Sequence, residues 1–442
     1  MRKKILLLFI SVVSLAVKAE TVNYDNVKYT MDGDVAYVSG HSYDGPVGEI
    51  TLKSEATFYV WSGDDVVQVT VPVTRIASDA LASCNLLTKV IVPKGITAIE
   101  KYAFFDCREL KSVVLPDGLT TLGESAFSAC SELEEINLPN TLTSIGNNVL
   151  DGCGFTSFTI PGFIKHIPDA FMYYCPRLKS VTIEEGVESL GISIFTSCES
   201  LETIILPNSL KEIGYASLSS INALKKISIP SNVEIIGASA FTSCNGLETV
   251  DFSQAKNLKS IGKDAFVWCE SLINIDLSGC TNLKTIDDGG FRYCSSLSSF
   301  LMPEGLETIG IEAFSNCPSL VSMSFPASIT DIGKYTFWGC SGLQYIDISK
   351  CLLLGAMNVS SWAFDRDIPE ETIIYAPNAD GFMNDGPYTV IFGPFTNLVL
   401  TSNTAADANN PRQWYDLKGS KLQQKPTQKG VYILNGAKVV IK

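Results

Sequence analysis

The chain has 442 residues, 46% of them hydrophobic, with 33 basic against 47 acidic side chains and two histidines, His41 and His166. That apolar share excludes a mainly disordered chain, and the acidic balance excludes the basic field that nucleic-acid binding requires. Two histidines leave little material for general-base or zinc chemistry, so no metal, cofactor or catalytic set is expected.

In chain order, residues 1–19 read as a secretory signal peptide. Arg2, Lys3 and Lys4 form a basic start, Ile5 to Val17 an apolar run, and Val17-Lys18-Ala19 a small-residue cleavage site. The run is too short to span a membrane. Cleavage after Ala19 removes four basic residues and takes the formal charge from −14 to about −18. Residues 20–73 follow as a β-rich N-terminal cap, with strand-like runs at Val35–Val38, Glu49–Leu52, Thr57–Val60 and Val66–Val71. Asp32-Gly33-Asp34 and Asp64-Asp65 are read as turns, since neither continues into an oxygen-ligand loop for calcium.

From residue 74 to 367 one phrase recurs: Ile-Gly, then Ala-Phe, then Cys. Its cysteines stand at 84, 107, 130, 153, 175, 198, 244, 269, 294, 317 and 340, in steps of 22 to 25 apart from one double step of 46. Ile221 fills the place skipped by the double step, giving twelve units. A fixed period in this range defines a solenoid, each unit too small to bury its own apolar face. Leu stands three places after the cysteine in eleven of the units, and a short β-branched run follows it. These runs predict strands stacked in parallel on one face. Proline ends the run in eight units, such as Pro93, Pro116 and Pro326, fitting a strand end because it lacks the N–H. Ala-Phe-x-x-Cys predicts a short helical or 3₁₀ arc on the opposite side. The column Gly123, Gly146, Gly191, Gly214, Gly237, Gly262, Gly310 and Gly333 predicts a left-handed backbone. Pro168 breaks that column in the one 22-residue unit, which predicts a distortion around residues 153–175.

Cysteines in an exported chain ordinarily suggest disulfides. Here equivalent thiols would stack with parallel side-chain vectors, which suits a bridge poorly. Ile221 also shows that the site accepts a plain hydrophobe. The reading is a reduced structural ladder, each thiol a weak donor to a turn carbonyl. Three units carry Ser253, Ser278 or Ser349 in place of the proline, and their longer turns bring in Cys280 and Cys351, the two thiols expected to be accessible.

Residues 368–400 read as a C-terminal cap with strands in Thr372–Pro377 and Tyr388–Phe392, and 401–413 as a linker. Residues 414–442 form a basic tail with six lysines against one acid; Asn435-Gly436 predicts a hairpin turn within it.

The unit Leu-x-x-Ile-x-Ile-Pro, Leu-x-x-Ile-Gly, Ala-Phe-x-x-Cys resembles the BspA-like leucine-rich repeat family of bacterial surface proteins. The resemblance implies an exported or surface-held solenoid used for adhesion to host proteins or other cells, a layout common in Bacteroidetes. The stretch Tyr415-Asp-Leu-Lys-Gly through Lys438-Val-Val-Ile resembles the C-terminal sorting module of type IX secretion cargo.

Function is then expected in the variable residues. The outward strand positions give a candidate binding face at Ile91, Val114, Ile205, Asp251, Asp276, Leu301 and Asp347, with Asn137, Thr159, Thr182, Ser228 and Ser324 between them. The same positions also fit an ordinary solvated sheet. A second candidate is an aromatic edge, Tyr173, Tyr174, Trp268, Tyr293 and Trp338, just before their cysteines. Such rings grip a protein or a sugar, or pack over a neighbouring turn. His166 is read as a satisfied turn histidine. The leading expectation is a non-catalytic module that binds an extracellular protein partner. The alternative is a carbohydrate-binding accessory protein using Trp268, Tyr293 and Trp338.

Overall fold

The computed structural model describes residues 20–62, 65–351, 368–369, 372–376, 389–392, 399–400, 414–415, 421–422, 430–434 and 437–441. The leader expected at 1–19, the linker at 401–413 and the Asn435-Gly436 turn itself lie outside them. The chain divides into two compact units, 1–247 and 248–442.

The first unit opens with an antiparallel meander, Thr21–Tyr24, Val27–Asp32 and Val35–His41, and a hairpin of Glu55–Ser62 with Asp65–Ile76. The end of that last strand, Arg75-Ile76, then pairs in parallel with Ala98–Ile99. From there each coil contributes two strands. A front strand follows the conserved Leu, as in Leu87–Ile91, Ser112–Val114 and Glu135–Ile136. A two-residue back strand carries the Ile before the glycine, as in Ala98–Ile99, Thr121–Leu122 and Ser144–Ile145. Both ladders are parallel, and their alternate side chains point into a core of stacked Leu, Ile, Phe and Cys. Phe104 and Phe127 stack with centroids 5.0 Å apart.

The second unit repeats the scheme. Its back strands run Ser260–Ile261, Thr285–Ile286, Thr308–Ile309 and Asp331–Ile332. Its front strands form two groups, Thr249–Asp251 to Ser299–Leu301 and Ser322–Ser324 to Tyr345–Asp347. Ile373–Ala376 and Thr389–Phe392 extend the second group, still in parallel. In the tail, Gly430–Leu434 pairs antiparallel with Ala437–Ile441, with Leu434 opposite Ala437.

The third side of each coil corrects the expected helical arcs: among the described residues there is no helix. The reason lies in two left-handed residues per coil, one and five places before the cysteine. Tyr102 and Asp106 have φ of 57° and 60°, Ser193 and Ser197 54° and 61°, and Glu312 and Asn316 57° and 59°. A left-handed residue every fourth place cannot propagate a right-handed helix. The corner backbone instead alternates partners. Ala103 N–H donates within its coil to Glu100 and Phe105 N–H to Tyr102, while Phe104 N–H crosses to the carbonyl of Ala126, 2.8 Å away. Coil is therefore tied to coil on all three sides.

The thirteen cysteines are free and buried. Nine ladder thiols donate to a carbonyl of the preceding coil, among them Cys130 Sγ to Phe104 O at 3.2 Å and Cys340 Sγ to Phe314 O at 3.1 Å. Ile221, in the same column, is fully buried. The expectation for Cys280 and Cys351 is corrected: both are fully buried, because the longer turns fold their thiols inward beneath Ser278 and Ser349.

The glycine column is also corrected. None of Gly123, Gly146, Gly191, Gly214, Gly237, Gly310 or Gly333 has positive φ. They are glycine for lack of space. A Cβ at Gly237 would lie 2.9 Å from the Ile213 carbonyl oxygen, and one at Gly191 2.5 Å from that of Ile167. The glycine N–H meanwhile donates to the back strand of the preceding coil, Gly123 to Ile99 at 2.7 Å.

That bond explains the distortion at 153–175. Pro168 has no N–H to give, and the back ladder breaks between Ser144–Ile145 and His166–Ile167. The front ladder breaks in the same place, between Glu135–Ile136 and Ser157–Ile160. Here Phe171 occupies the slot held by Ala103 or Ala126 elsewhere, and Phe155 replaces the conserved Leu one place early. With Phe158 they form an edge-to-face trio, centroids 4.9 and 6.4 Å apart, too bulky for regular stacking. Among the described residues the backbone bonds that still cross the break are at the corner, such as Phe127 N–H to Val149 and Leu150 N–H to Phe171.

Two outcomes follow. Gly123→Ala, whose Cβ meets the backbone of Glu100 and Lys101, lowers stability by about 1–3 kcal/mol, read as an earlier urea midpoint, whereas Ser125→Gly at φ 52° does not. Burial pushes the Cys244, Cys340 and Cys351 thiols up to about 12 from an ordinary value of 9.0. Below the ordinary value folded and unfolded chains are equally protonated and stability is full. Above it only the unfolded thiols ionise, so stability falls as pH rises toward the folded values. Alkaline melts should show this loss, and native thiols should resist maleimide until the chain unfolds.

Candidate functional site

In the first unit the outward front column comes together as expected. Ile91 pairs with Val114, Thr159 with Thr182 and Thr182 with Ile205, so these residues share one face in register. Val114 and Ile205 are 41% and 54% exposed, Asn137, Thr159, Thr182 and Ser228 are exposed, and Ile91 is half-buried. The seven residues carry no charge, in a chain of formal charge −14. The pleat explains the exposure: Val90, Val113 and Ile204 point inward, so their strand neighbours point out.

The ladder break cuts this column and opens a recess of about 560 Å³. Its walls include Val114, Asn137, Thr159 and Thr182, and the half-buried Phe158 reaches it from the aromatic trio. Asn137 does not simply face solvent. Its carboxamide accepts from Leu115 N–H at 2.8 Å and donates to Leu115 C=O at 2.9 Å, substituting for the ladder bonds. Arg177 straps the break from outside. Its guanidinium donates to Gly154 O at 3.1 Å, Ser131 O at 3.2 Å and the carboxylates of Glu132 and Glu134.

In the second unit the face reads differently. Leu301 is 51% exposed, as expected. The aspartates belong to the turns. Asp251 and Asp276 are exposed but accept the N–H of Ser253 and Ser278, each at 2.9 Å. Asp347 is a correction to the face: it is buried, and its carboxylate turns back onto Ser349 N–H at 2.9 Å. The reason joins two sequence features. Where proline ends the strand there is no N–H to satisfy. Where serine replaces it, the new N–H needs an acceptor, and an aspartate two places earlier supplies one.

The aromatic edge does not form one platform. Trp268 lies flat on Tyr293, centroids 3.9 Å apart and planes 2° apart, so each ring has one face covered. The Arg292 guanidinium, bonded to Asp264 at 3.2 Å and Glu312 at 2.6 Å, lies 5.6 Å from the Tyr293 centroid. Trp338 is exposed and has no ring contact with that pair among the described residues. Tyr173 and Tyr174 are exposed at a corner of the first unit, Tyr174 in the left-handed conformation. His166 bonds through Nδ1 to Ser189 Oγ at 2.8 Å, a partner one coil away.

Sequence reasoning missed the recess, the Arg177 strap and the outer part of the first hairpin, where Tyr59, Trp61, Val66 and Val67 are exposed. Gly154 beside Cys153 carried a signal for the strap: a Cβ there would strike both the Ser131 carbonyl and the Arg177 side chain.

With this geometry in hand, the comparisons are direct. The family model described as BspA type Leucine rich repeat region matches six copies, over residues 55–179, 165–286 and 259–373. The chain belongs to the BspA-type leucine-rich repeat family. It is similar to a leucine-rich repeat protein from Bacteroides ovatus, at 25% identity and TM-score 0.54, over 80% of this chain and 98% of that one. A leucine rich cell surface protein from Faecalibacterium prausnitzii matches at 23% identity and TM-score 0.40, over 76% of this chain and 93% of that one. No curated protein matches. The fold is thus a leucine-rich repeat solenoid, and the family is one of surface proteins built as protein-binding scaffolds.

The turn chemistry gives a test. Asp347→Ala strands a buried N–H and costs about 1–3 kcal/mol, while Asp276→Ala at an exposed turn costs under about 1 kcal/mol. Adding Ser349→Pro, which removes the N–H, recovers part of the first loss in the same denaturation assay.

Proposed function

We propose that this chain is an exported adhesion module, delivered by the leader at 1–19 and the sorting-like tail at 414–442. It binds an extracellular protein on a host or neighbouring cell through the front face of residues 74–247. The observation that carries this reading is the uncharged column Ile91, Val114, Asn137, Thr159, Thr182, Ile205 and Ser228. The cores of protein–protein interfaces are depleted of charge, because each charge must be desolvated on binding. An acidic chain has no solubility reason to keep a strip of its surface neutral, and an exposed apolar pair on a rigid parallel sheet supplies anchors without an ordering cost. The turn-bonded aspartates and the covered Trp268–Tyr293 rings leave the other candidate positions with structural work of their own.

The mature chain, residues 20–442, is to be screened by surface plasmon resonance against purified matrix and cell-surface proteins, with a glycan array alongside. The expected result is micromolar or tighter binding to a protein ligand. Val114→Asp with Ile205→Asp should weaken it about ten-fold or more, at unchanged melting temperature. Glycan binding lost on Trp268→Ala, with no protein ligand, would overturn the reading in favour of a carbohydrate-binding accessory protein.

A further inference from the structure

The recess in the first unit lies at one of the breaks in the front ladder. On its far side each flanking strand has a neighbour: Glu135–Ile136 pairs with Ser112–Val114, and Ser157–Ile160 with Ser180–Ile183. Toward each other these two strands make no ladder bond. Two parallel strand edges therefore face one another across about 560 Å³ of open space. Unpaired strand edges are templates for an added strand. Natural proteins usually blunt them with charge, proline or cover. Here the edge residues Ser157 and Thr159 are small, polar and exposed, and none of the blunting residues is present on that strand.

The side chains around the recess add a second constraint. Phe158, half-buried, lines it as an apolar element, held edge-to-face on the buried Phe155. The charged residues of its lining are two glutamates, Glu134 and Glu135. Arg177 neutralises Glu134 at 3.2 Å. Glu135 is exposed and has no ion-pair partner among the described residues. Its backbone N–H is already used, donated to Lys111 O. The strap of Arg177 and the bonded corner hold the two coils together beside the recess, which limits the ordering cost of a ligand entering it.

We propose that this recess receives one extended peptide segment of a protein partner, added as a strand between the two edges. Its inward side chain is an aromatic or branched apolar group set against Phe158, and a neighbouring lysine or arginine on the outward face pairs with Glu135. Main-chain bonds would supply affinity and the alternate side chains specificity, as in other strand-addition sites. The inference rests on reading the front face as protein-binding and names the part of it that takes a peptide.

The test uses the mature full chain and a fluorescein-labelled hexapeptide, Thr-Val-Lys-Phe-Lys-Val, whose lysines alternate with the inward Phe, followed by fluorescence anisotropy. A second peptide has both valines N-methylated, which removes the N–H groups along one edge. Saturable binding is expected for the first peptide. N-methylation and the Glu135→Lys variant should each weaken it about ten-fold, since one removes hydrogen bonds and the other reverses the only open charge. Ile205→Asp, beyond the recess lining, should leave peptide binding unchanged while weakening a whole-protein ligand, so the two readings can fail separately. Equal binding of the N-methylated peptide, equal binding by Glu135→Lys, or no saturation up to about 1 mM would each overturn the proposal.

Discussion

The structure depends on hydrogen bonds that run from coil to coil at the corner. A unit of about 23 residues has no core of its own and is stable only when its apolar edge is covered by the next. The corner provides the most regular of these attachments. Two left-handed residues in each coil turn alternate N–H groups toward the neighbour, and the buried thiol adds a further donor aimed at the preceding coil's carbonyl. Cysteine suits this place because its S–H is a donor weak enough to desolvate cheaply, in a volume between Ala and Leu. Ile221 shows that the volume matters more than the donor.

The break near Pro168 shows what happens when the three sides are uncoupled. Losing one N–H on the back ladder and placing three phenyl rings under the front ladder separates strands on both faces, yet the corner holds. The coil does not unfold there. It opens, and the opening leaves strand edges without a ladder partner and brings part of Phe158 to the surface. In this chain the irregular coil is where such groups become accessible, while the regular coils set its position.

Much of this was legible in the residues. The cysteine spacing gave the coil, the prolines gave the strand ends, and Pro168 in a glycine column located the break, because each of these is a local rule applied many times over. What was illegible depended on the neighbour one coil away. Gly123 suggested left-handed backbone when read alone. Its real constraint is the backbone of Glu100 and Lys101, twenty-odd residues earlier. Ala-Phe-x-x-Cys has helical spacing, but the backbone at Tyr102 and Asp106 answers to the adjacent coil. Asp276 looked like a surface charge until Ser278 was seen to need an acceptor. The exposed strip was readable from alternation. The recess within it was not, since it results from the sizes of Phe155, Phe158 and Phe171 acting together.

Arg177 has a further consequence, one of mechanics. Bonds between coils lie in series along a stack, so a pull that separates coils is borne at any one level by a single set of bonds, and failure starts at the weakest level. The Pro168 level has lost two of its three sets. A guanidinium that grips Gly154, Ser131, Glu132 and Glu134 together reaches across two coil steps, so it shares tension between the weak level and an intact one. The charge network there acts as a tie across a notch, setting the force at which the first unit begins to peel.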